Sequence, residues 1–222
     1  ARRFPRSRSG CHSRLTMPAP RWFFTTASKA VPMSFRKQLS QQLELLQQLQ
    51  SEFFEQILEQ TIELISVCLQ QQRPLLICGN GGSAADALHI SGELVGRFLR
   101  ERKALNVICL NANVSVLTAW TNDYDYDSAF ARQVEAHGQA GGVCWGISTS
   151  GNSPNVAQAL QIAREMKMKT IALTGEGGGK LARVADLLIA APSQSTPRIQ
   201  ELHLPIYHYV CEQVELRLSS ES

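Results

Sequence analysis

Residues 142–166 read GVCWGISTSGNSPNVAQALQIAREM, and this stretch decides which fold the chain is predicted to adopt. The run 142–147 has the length and β-rich composition of a short buried strand, whereas apolar residues recur at helical spacing from Pro154 onward. Between the two lies the turn 148–153, which contains four hydroxyl side chains and one glycine. A strand that passes directly into a helix is the repeating unit of a parallel α/β sheet.

The turn 148–153, which we call the serine loop, is predicted to hold a phosphate group. The first backbone N–H groups of a helix have no partner within the helix, and the helix dipole favours a negative charge beside them. Hydroxyl side chains add donors at the same place: Ser148, Thr149, Ser150 and Ser153. For this junction alone, an ordinary turn in which Ser153 or Asn152 caps the helix is an equally good interpretation.

A second junction of the same kind favours the phosphate interpretation. The apolar run 75–78 is followed by GNGGS at 79–83, which we call the glycine loop, and a helical pattern begins at Ala84. Glycines allow close backbone approach, and Ser83 is placed to cap the helix or to contact a ligand. Because ligands collect outside the carboxyl ends of parallel strands, we expect the two loops to face one crevice. Neither loop matches the dinucleotide fingerprint or the P-loop, so neither a dinucleotide nor ATP is the expected ligand.

The whole chain predicts an α/β fold, a three-layer α/β/α sandwich with a five-stranded parallel sheet, preceded by N-terminal helices in residues 35–72. Strands are expected at 75–78, 106–110, 143–147, 170–173 and 187–190. Later helices are expected at 84–98, 114–120, 128–137, 154–166, 179–185 and 197–218. Residues 175–179 (GEGGG) are interpreted first as a tight connection and second as part of the pocket. The wide apolar faces in 35–72 favour packing against the core or against a second copy of the chain.

Composition and charge limit the classes of function. With 222 residues and 44% hydrophobic content, the chain can bury one substantial core. No apolar run approaches the roughly 18 residues that a membrane span needs. Residues 1–43 hold nine of the 22 Lys and Arg and no Asp or Glu, so 13 basic residues face 19 acidic ones in the remainder, a net charge of −6. We therefore expect neither a membrane nor a nucleic acid as a partner.

Residues 1–33 are predicted to be a basic, disordered extension, and residues 34–222 to be the folded domain. The extension is rich in Arg and Ser and lacks helical periodicity, which an organelle transit peptide would also show, but we favour an unstructured appendage. The six cysteines have no C-x-x-C spacing, and Cys78, Cys109 and Cys144 lie in apolar strand-like runs. This pattern favours a reducing, cytoplasmic location.

Two predicted helices carry side chains that could bind a metal or transfer protons. His89 and Glu93 are four residues apart, so both lie on one face of their helix. The last helix offers a second set: Gln200, Glu201, His203 and His208. Four nitrogen and oxygen ligands from two helices would suit a divalent metal such as zinc, and a surface or capping role is the alternative. Spacing alone does not choose between Gln200 and Glu201.

The chain resembles the sugar isomerase (SIS) domain family and, within it, the phosphoheptose isomerases. The resemblance lies in five strings that follow the family's order and spacing: GNGGSAADALHISGELVGRF, TNDYDYDSAF, GISTSGNSPNV, ALTGEGGGKLA and RIQELHLPIYH. It extends over residues 35–218. It implies an enzyme that converts D-sedoheptulose 7-phosphate to D-glycero-D-manno-heptose 7-phosphate through an enediol, for heptose precursor biosynthesis. It also implies a homotetramer.

The resemblance implies roles for individual residues. The family's zinc ligands fall on His89, Glu93, Gln200 and His208, which implies one Zn2+ per subunit. Its acid/base pair falls on Glu93 and His208. Its sugar-phosphate contacts fall on Gly81, Gly82, Ser83, Glu93, Asn122, Asp123, Ser148, Thr149, Ser150, Ser153 and Gln200.

A regulatory function is the alternative that the same resemblance leaves open. SIS-domain proteins include non-catalytic sugar-phosphate sensors and relatives of the bacterial initiator-associating protein DiaA, which act through protein contacts. Those relatives share the loops but lack equivalents of Glu93 and His208, and this chain has both. We therefore expect an enzyme.

Overall fold

The computed structural model describes residues 34–219, which form a three-layer α/β/α sandwich around a five-stranded parallel sheet. The strands are β1 Leu75–Gly79, β2 Val107–Cys109, β3 Val143–Ser148, β4 Lys169–Thr174 and β5 Leu187–Ala190. The helices are α1 Phe35–Gln48, α2 Glu52–Gln70, α3 Gly82–Val95, α4 Val114–Asp123, α5 Ala129–His137, α6 Pro154–Glu165 and α7 Thr196–Ser219. The predicted fold class is confirmed.

The sheet has the strand order β2-β1-β3-β4-β5, and every pairing is parallel. The chain changes direction across the sheet between β1 and β3, whose carboxyl ends lie side by side with Gly79 opposite Ile147. Such a switch point opens a crevice outside the strand ends, because the loops that follow the two strands diverge to opposite faces. The glycine loop and the serine loop follow these two strands.

The core lies on both faces of the sheet. On one face, α2, α3 and α7 bury a cluster that includes Ile62, Trp145 and Tyr207. On the other face, α5 and α6 bury a second cluster, to which they contribute Phe130 and Leu160. The central strands are buried on both sides, which explains why they read as continuous apolar runs instead of alternating ones.

The predicted helix 179–185 is wrong, and a single 3-10 turn at Leu181–Arg183 takes its place. Gly177, Gly178 and Gly179 all have positive φ values, between 53° and 77°. A right-handed helix cannot begin until after these residues. In α7, by contrast, the helix continues through Pro205.

The N-terminal helices are present, and serine side chains cap both of them. Ser34 accepts a hydrogen bond from Lys37 N, and Ser51 accepts one from Phe54 N. Helix α2 buries one face, which includes Ile62 and Ile65, whereas α1 contains no fully buried residue. The predicted extension 1–33 lies outside the described residues.

The cysteines of the described region are all buried free thiols: Cys68, Cys78, Cys109, Cys144 and Cys211. Those expected in strands lie there. Of the helices in residues 34–219, none combines the length and the apolar character needed to span a bilayer.

Candidate active site

The glycine loop and the serine loop meet through a pair of asparagines. Asn80 Nδ2 donates to Asn155 Oδ1, and Asn155 Nδ2 donates to Asn80 Oδ1, both at 2.9 Å. Tyr126 Oη donates to Asn80 Oδ1 at 2.8 Å and brings in the segment after α4. The two loops are therefore neighbours, as expected, with the segment after α4 beside them, and that this region forms a ligand crevice stays a prediction. Sequence reasoning missed all three residues as organisers of the site.

The helices that leave both loops begin without a capping side chain on the N-cap residue. At the start of α3 this residue is Gly81, and at the start of α6 it is Ser153. The Ser153 hydroxyl instead lies 2.8 Å from Ser148 Oγ, within the serine loop. The capping interpretation of Ser153 is therefore wrong. Two helix N-termini that face one crevice can bind an anion, because their first N–H groups lack intrahelical partners.

Residues 175–179 support the serine loop from behind. Gly175 N donates to Thr149 O and Leu181 N donates to Gly151 O, both at 2.9 Å. Gly151 has a φ of 62°, and a Cβ atom added there would lie 2.1 Å from the Gly178 carbonyl oxygen. The two backbones are thus in direct contact. The interpretation of 175–179 as a tight connection is correct, and this connection fixes the shape of the loop.

Asn122 and Asp123 lie at the end of α4, where both side chains are exposed. Asn122 Nδ2 donates to Asp123 Oδ1 at 2.9 Å. Tyr126 connects this segment to the glycine loop, so the pair lies near the rim of the crevice. Their contact with a substrate stays a prediction.

His89, Glu93 and His208 form a cluster where α3 crosses α7. His89 Nε2 lies 3.1 Å from Glu93 Oε1 and 3.4 Å from His208 Nε2. One ligand atom from each residue lies within 4.8 Å of the others, so the group could hold a metal ion. Two imidazoles and a carboxylate are ligands that zinc commonly takes in proteins.

Burial and charge shift the pKa values of groups around the cluster. Burial, and then the neighbouring His89, lower the pKa of His208, while Glu93 opposes the shift. Burial raises the pKa of Asp86 to about 6, against the opposing effects of the neighbouring His89 and Tyr207. His208 is therefore biased toward its neutral form, in which an imidazole can accept a proton.

The other polar residues of α7 take different places. Glu201 forms an ion pair with Arg198 at 2.7 Å. His203 is fully buried and its Nε2–H donates to the Thr174 carbonyl oxygen at 3.0 Å. Gln200 lies against the glycine loop, where a Cβ atom added to Gly82 would be 2.1 Å from its Nε2 atom. Of the four candidates, Gln200 and His208 face the crevice region.

Sequence reasoning also missed the residues that contact the cluster from behind. Tyr207 Oη lies 3.0 Å from His89 Nδ1, and the Phe98 ring centroid lies 5.5 Å from that of His208. Asp86, one turn before His89 on α3, lies beside Tyr207. The sequence places Asp86 near His89 by helical spacing, but it gives no sign that Tyr207 from α7 lies between them.

Comparisons with known proteins show similarity to one family. The SIS domain profile matches residues 37–175. A phosphoheptose isomerase from Citrifermentans bemidjiense is 49% identical over 186 residues, which cover 84% of this chain and 96% of the relative. The structure of phosphoheptose isomerase GmhA from Neisseria gonorrhoeae is similar with a TM-score of 0.76 and 40% identity, over 81% of this chain and 96% of that one. A phosphoheptose isomerase from Francisella tularensis gives a TM-score of 0.78 at 31% identity, over 82% of this chain and 96% of that one.

Proposed function

Because this chain belongs to the SIS domain family, and within it to the phosphoheptose isomerases, we propose that it converts D-sedoheptulose 7-phosphate to D-glycero-D-manno-heptose 7-phosphate. The observation that carries this proposal is the combination of two features on neighbouring elements. Helices α3 and α6 begin without a side-chain cap after neighbouring strands, and α3 also carries His89 and Glu93, which form a cluster with His208 of α7. The first suits a phosphate, and the second suits proton transfer.

The serine loop binds the phosphate, which is remote from the reacting carbons. Hydroxyl donors and backbone N–H groups at the start of α6 hold it, and the glycine loop lets the sugar approach the start of α3. Proposed contacts in these two loops are Gly81, Gly82, Ser83, Ser148, Thr149, Ser150 and Ser153. Binding energy from this non-reacting group positions the other end of the sugar, and Asn122, Asp123 and Gln200 contact its hydroxyls.

Glu93 and His208 transfer the protons of the isomerisation. Glu93 removes a proton from C1 of the ketose, which gives the enediol, and returns a proton to C2. His208 moves the second proton between the oxygens on C1 and C2, so the aldehyde forms at C1 as the hydroxyl forms at C2. Its lowered pKa favours the neutral imidazole that can begin this exchange.

A Zn2+ ion fits the residues of the cluster. His89, Glu93 and His208 offer the imidazole and carboxylate ligands that zinc prefers, and Gln200, about two turns before His208 on α7, would add an amide oxygen. When bound, the metal polarises the carbonyl region and stabilises the developing enediolate charge. The residues of the chain orient the sugar, exclude water and transfer the protons.

We propose a homotetramer in the cytoplasm. Helix α1 exposes Phe35, Leu39 and Leu43, and α3 exposes Leu88 and Val95. Exposed apolar stripes of this kind mark subunit contacts. The free thiols of the described region are consistent with a reducing compartment.

A coupled assay with D-sedoheptulose 7-phosphate, with and without chelator, tests the function. We expect Glu93→Gln to reduce kcat by at least ~1,000-fold, because the amide cannot accept the C1 proton, while substrate binding in calorimetry remains measurable. The matched control is Glu101→Gln, which changes a glutamate with an 88% exposed side chain and should keep wild-type activity. Near-normal turnover by Glu93→Gln would refute the assignment of the base. Binding without product in zinc-replete wild-type protein would instead favour a sugar-phosphate sensor.

A further inference from the structure

Tyr207 is a buried residue whose ring packs against both histidines of the cluster. Its side chain is only 1% exposed, and it precedes His208 on α7. Its ring packs edge-on against His89 and His208, with centroid separations of 5.4 and 5.0 Å. The ring therefore holds its hydroxyl in place, 3.0 Å from His89 Nδ1.

The two ring nitrogens of His89 face different neighbours. Nε2 points into the cluster, toward Glu93 Oε1 and His208 Nε2, whereas Nδ1 points toward Tyr207 Oη. An imidazole binds a metal through the nitrogen that carries no proton, and the hydrogen bond of the other nitrogen selects that tautomer. A metal on Nε2 therefore requires that Nδ1–H donates to the Tyr207 oxygen.

In that state the Tyr207 hydroxyl needs an acceptor for its own proton, and Asp86 supplies one. Within the described region, Asp86 Oδ2 is buried without a hydrogen-bond partner, so an acceptor remains to be satisfied there. Asp86 also lies close enough that its charge, after burial, is the second cause that raises the pKa of Tyr207. Rotation of the hydroxyl toward Asp86 would satisfy the buried carboxylate.

We propose that Asp86 and Tyr207 act in series as positioning residues that hold His89 in the tautomer and ring orientation that bind the metal. The inference rests on the metal site of the proposed function, to which it adds two residues that do not touch the metal. The series runs from the Asp86 carboxylate to the Tyr207 hydroxyl and then to His89 Nδ1. Partners of this kind change metal affinity by about 10- to 100-fold when they are removed.

The test measures Zn2+ affinity by competition with a chromophoric chelator, using the metal-stripped full chain without substrate. We expect Tyr207→Phe to weaken binding by about 10-fold, because it keeps the ring and removes only the hydroxyl. Asp86→Ala should weaken binding by a similar factor, and Asp86→Asn should restore part of it through the amide oxygen. The double variant Asp86→Ala/Tyr207→Phe should bind Zn2+ no more weakly than whichever single variant has the lower Zn2+ affinity. The reason is that both substitutions interrupt the same series of hydrogen bonds. Tyr209→Phe, two residues along α7 and 47% exposed, is the matched control.

Wild-type affinity in Tyr207→Phe, or additive losses in the double variant, would overturn this inference alone. A wild-type protein that binds no Zn2+ would overturn it together with the proposed metal ligands. A wild-type protein that binds Zn2+ with the expected pattern of variants but does not isomerise D-sedoheptulose 7-phosphate would support the inference and refute the proposed function.

Discussion

At the scale of single residues, His203 and His208 occupy opposite environments on the same helix. Their five-residue separation places them on nearly opposite sides of α7. His203 has no exposed surface, and its Nδ1 atom is buried without a hydrogen-bond partner among the described residues. Burial lowers the pKa of His203 to about 4, although the Thr174 carbonyl favours the protonated form. His203 is therefore a neutral core residue at physiological pH.

This burial predicts a pH dependence of stability. Between the unfolded pKa of about 6.5 and the folded value of about 4, only the unfolded chain takes up the proton, so the free energy of unfolding decreases as pH falls. The loss approaches about 3 kcal/mol at the acid end. The measurement is urea unfolding from pH 7.5 to 4.5 for the wild type and His203→Gln. The stability advantage of the wild type should shrink as pH falls.

Comparison of the wild type with His203→Gln removes the effects of other groups that titrate between pH 7.5 and 4.5. Asp86, with its pKa raised to about 6, takes up its proton first in the folded state and therefore contributes with the opposite sign. The control His137→Gln removes an exposed imidazole at the end of α5 and should follow the wild-type curve. Parallel curves for wild type and His203→Gln would show that His203 titrates normally.

The sequence could identify the polar residues of α7 but could not show which of them face the candidate site and which are buried or paired elsewhere. Helical spacing brought His89 near Glu93, and the structure confirms that contact. From helical spacing alone, Glu201 and His203 were candidates for the site as good as Gln200 and His208. Spacing does not show which face of α7 meets α3, because that depends on tertiary packing. Arg198 pairs with Glu201 three residues away, a spacing that the sequence does show, whereas Thr174 accepts from His203 across 29 residues, a contact that leaves no local signal.

At the scale of elements, the serine loop depends on a second loop for its shape. Lys180 N donates to Asn152 Oδ1 at 3.1 Å, next to the contact between Gly151 and Gly178. Both backbones approach closely only because neither position has a side chain. The pattern of glycines predicted a turn at 175–179, but it did not reveal that this turn supports the loop after β3.

Gly151→Ala should therefore disturb both stability and substrate binding. The added Cβ would lie 2.1 Å from a backbone oxygen that cannot rotate away, and the positive φ of 62° adds strain. We expect a loss of at least about 2 kcal/mol in the free energy of unfolding, with KM raised at least about 10-fold. Thermal unfolding and steady-state kinetics measure the two effects.

Gly177→Ala is the matched control for this prediction. Gly177 has a similar positive φ of 77°, but a Cβ atom there would meet nothing within 4 Å. It should cost only about 1 to 2 kcal/mol of stability from backbone strain, and KM should stay at the wild-type value. Equal KM values for both variants would show that close contact with Gly178 does not shape the phosphate site.

The predicted strands match the structure closely, and so do the ends of α5, α6 and α7, whereas α3 and α4 end three residues from their predicted ends. Buried strands bounded by turns are recognisable from their apolar runs, and β5 has the predicted limits, 187–190. Helix α3 ends at Val95, three residues before its predicted end, and Gly96 N closes it on Gly92 O. Beyond it, Glu215 on α7 accepts hydrogen bonds from the N–H groups of Phe98, Leu99 and Arg100. This distant carboxylate, invisible to local pattern, stabilises the non-helical path.

At the scale of the whole molecule, helix α1 has one wide apolar face, and the single chain covers only its C-terminal part. Leu45, Leu46 and Leu49 pack against the cluster formed by Ala191, Ile199 and Leu202. Phe35 and Leu43 remain 71% and 61% exposed, with Leu39 between them at the same four-residue spacing. A stripe of large apolar residues on a helix is favourable only if another surface covers it. The exposed stripe Phe35, Leu39 and Leu43 is therefore the proposed contact with another subunit.

Leu39→Glu/Leu43→Glu should convert the proposed tetramer to smaller species, because carboxylates buried in an apolar contact would lack partners. Light scattering coupled to size-exclusion chromatography gives the mass, and circular dichroism checks that the helical content is retained. Gln41→Glu/Gln48→Glu adds the same charge on the opposite side of α1, at exposed positions, and should keep the wild-type mass. If the leucine variant also keeps the wild-type mass, this stripe lies outside every subunit contact, and assembly must use other surfaces such as the exposed face of α3.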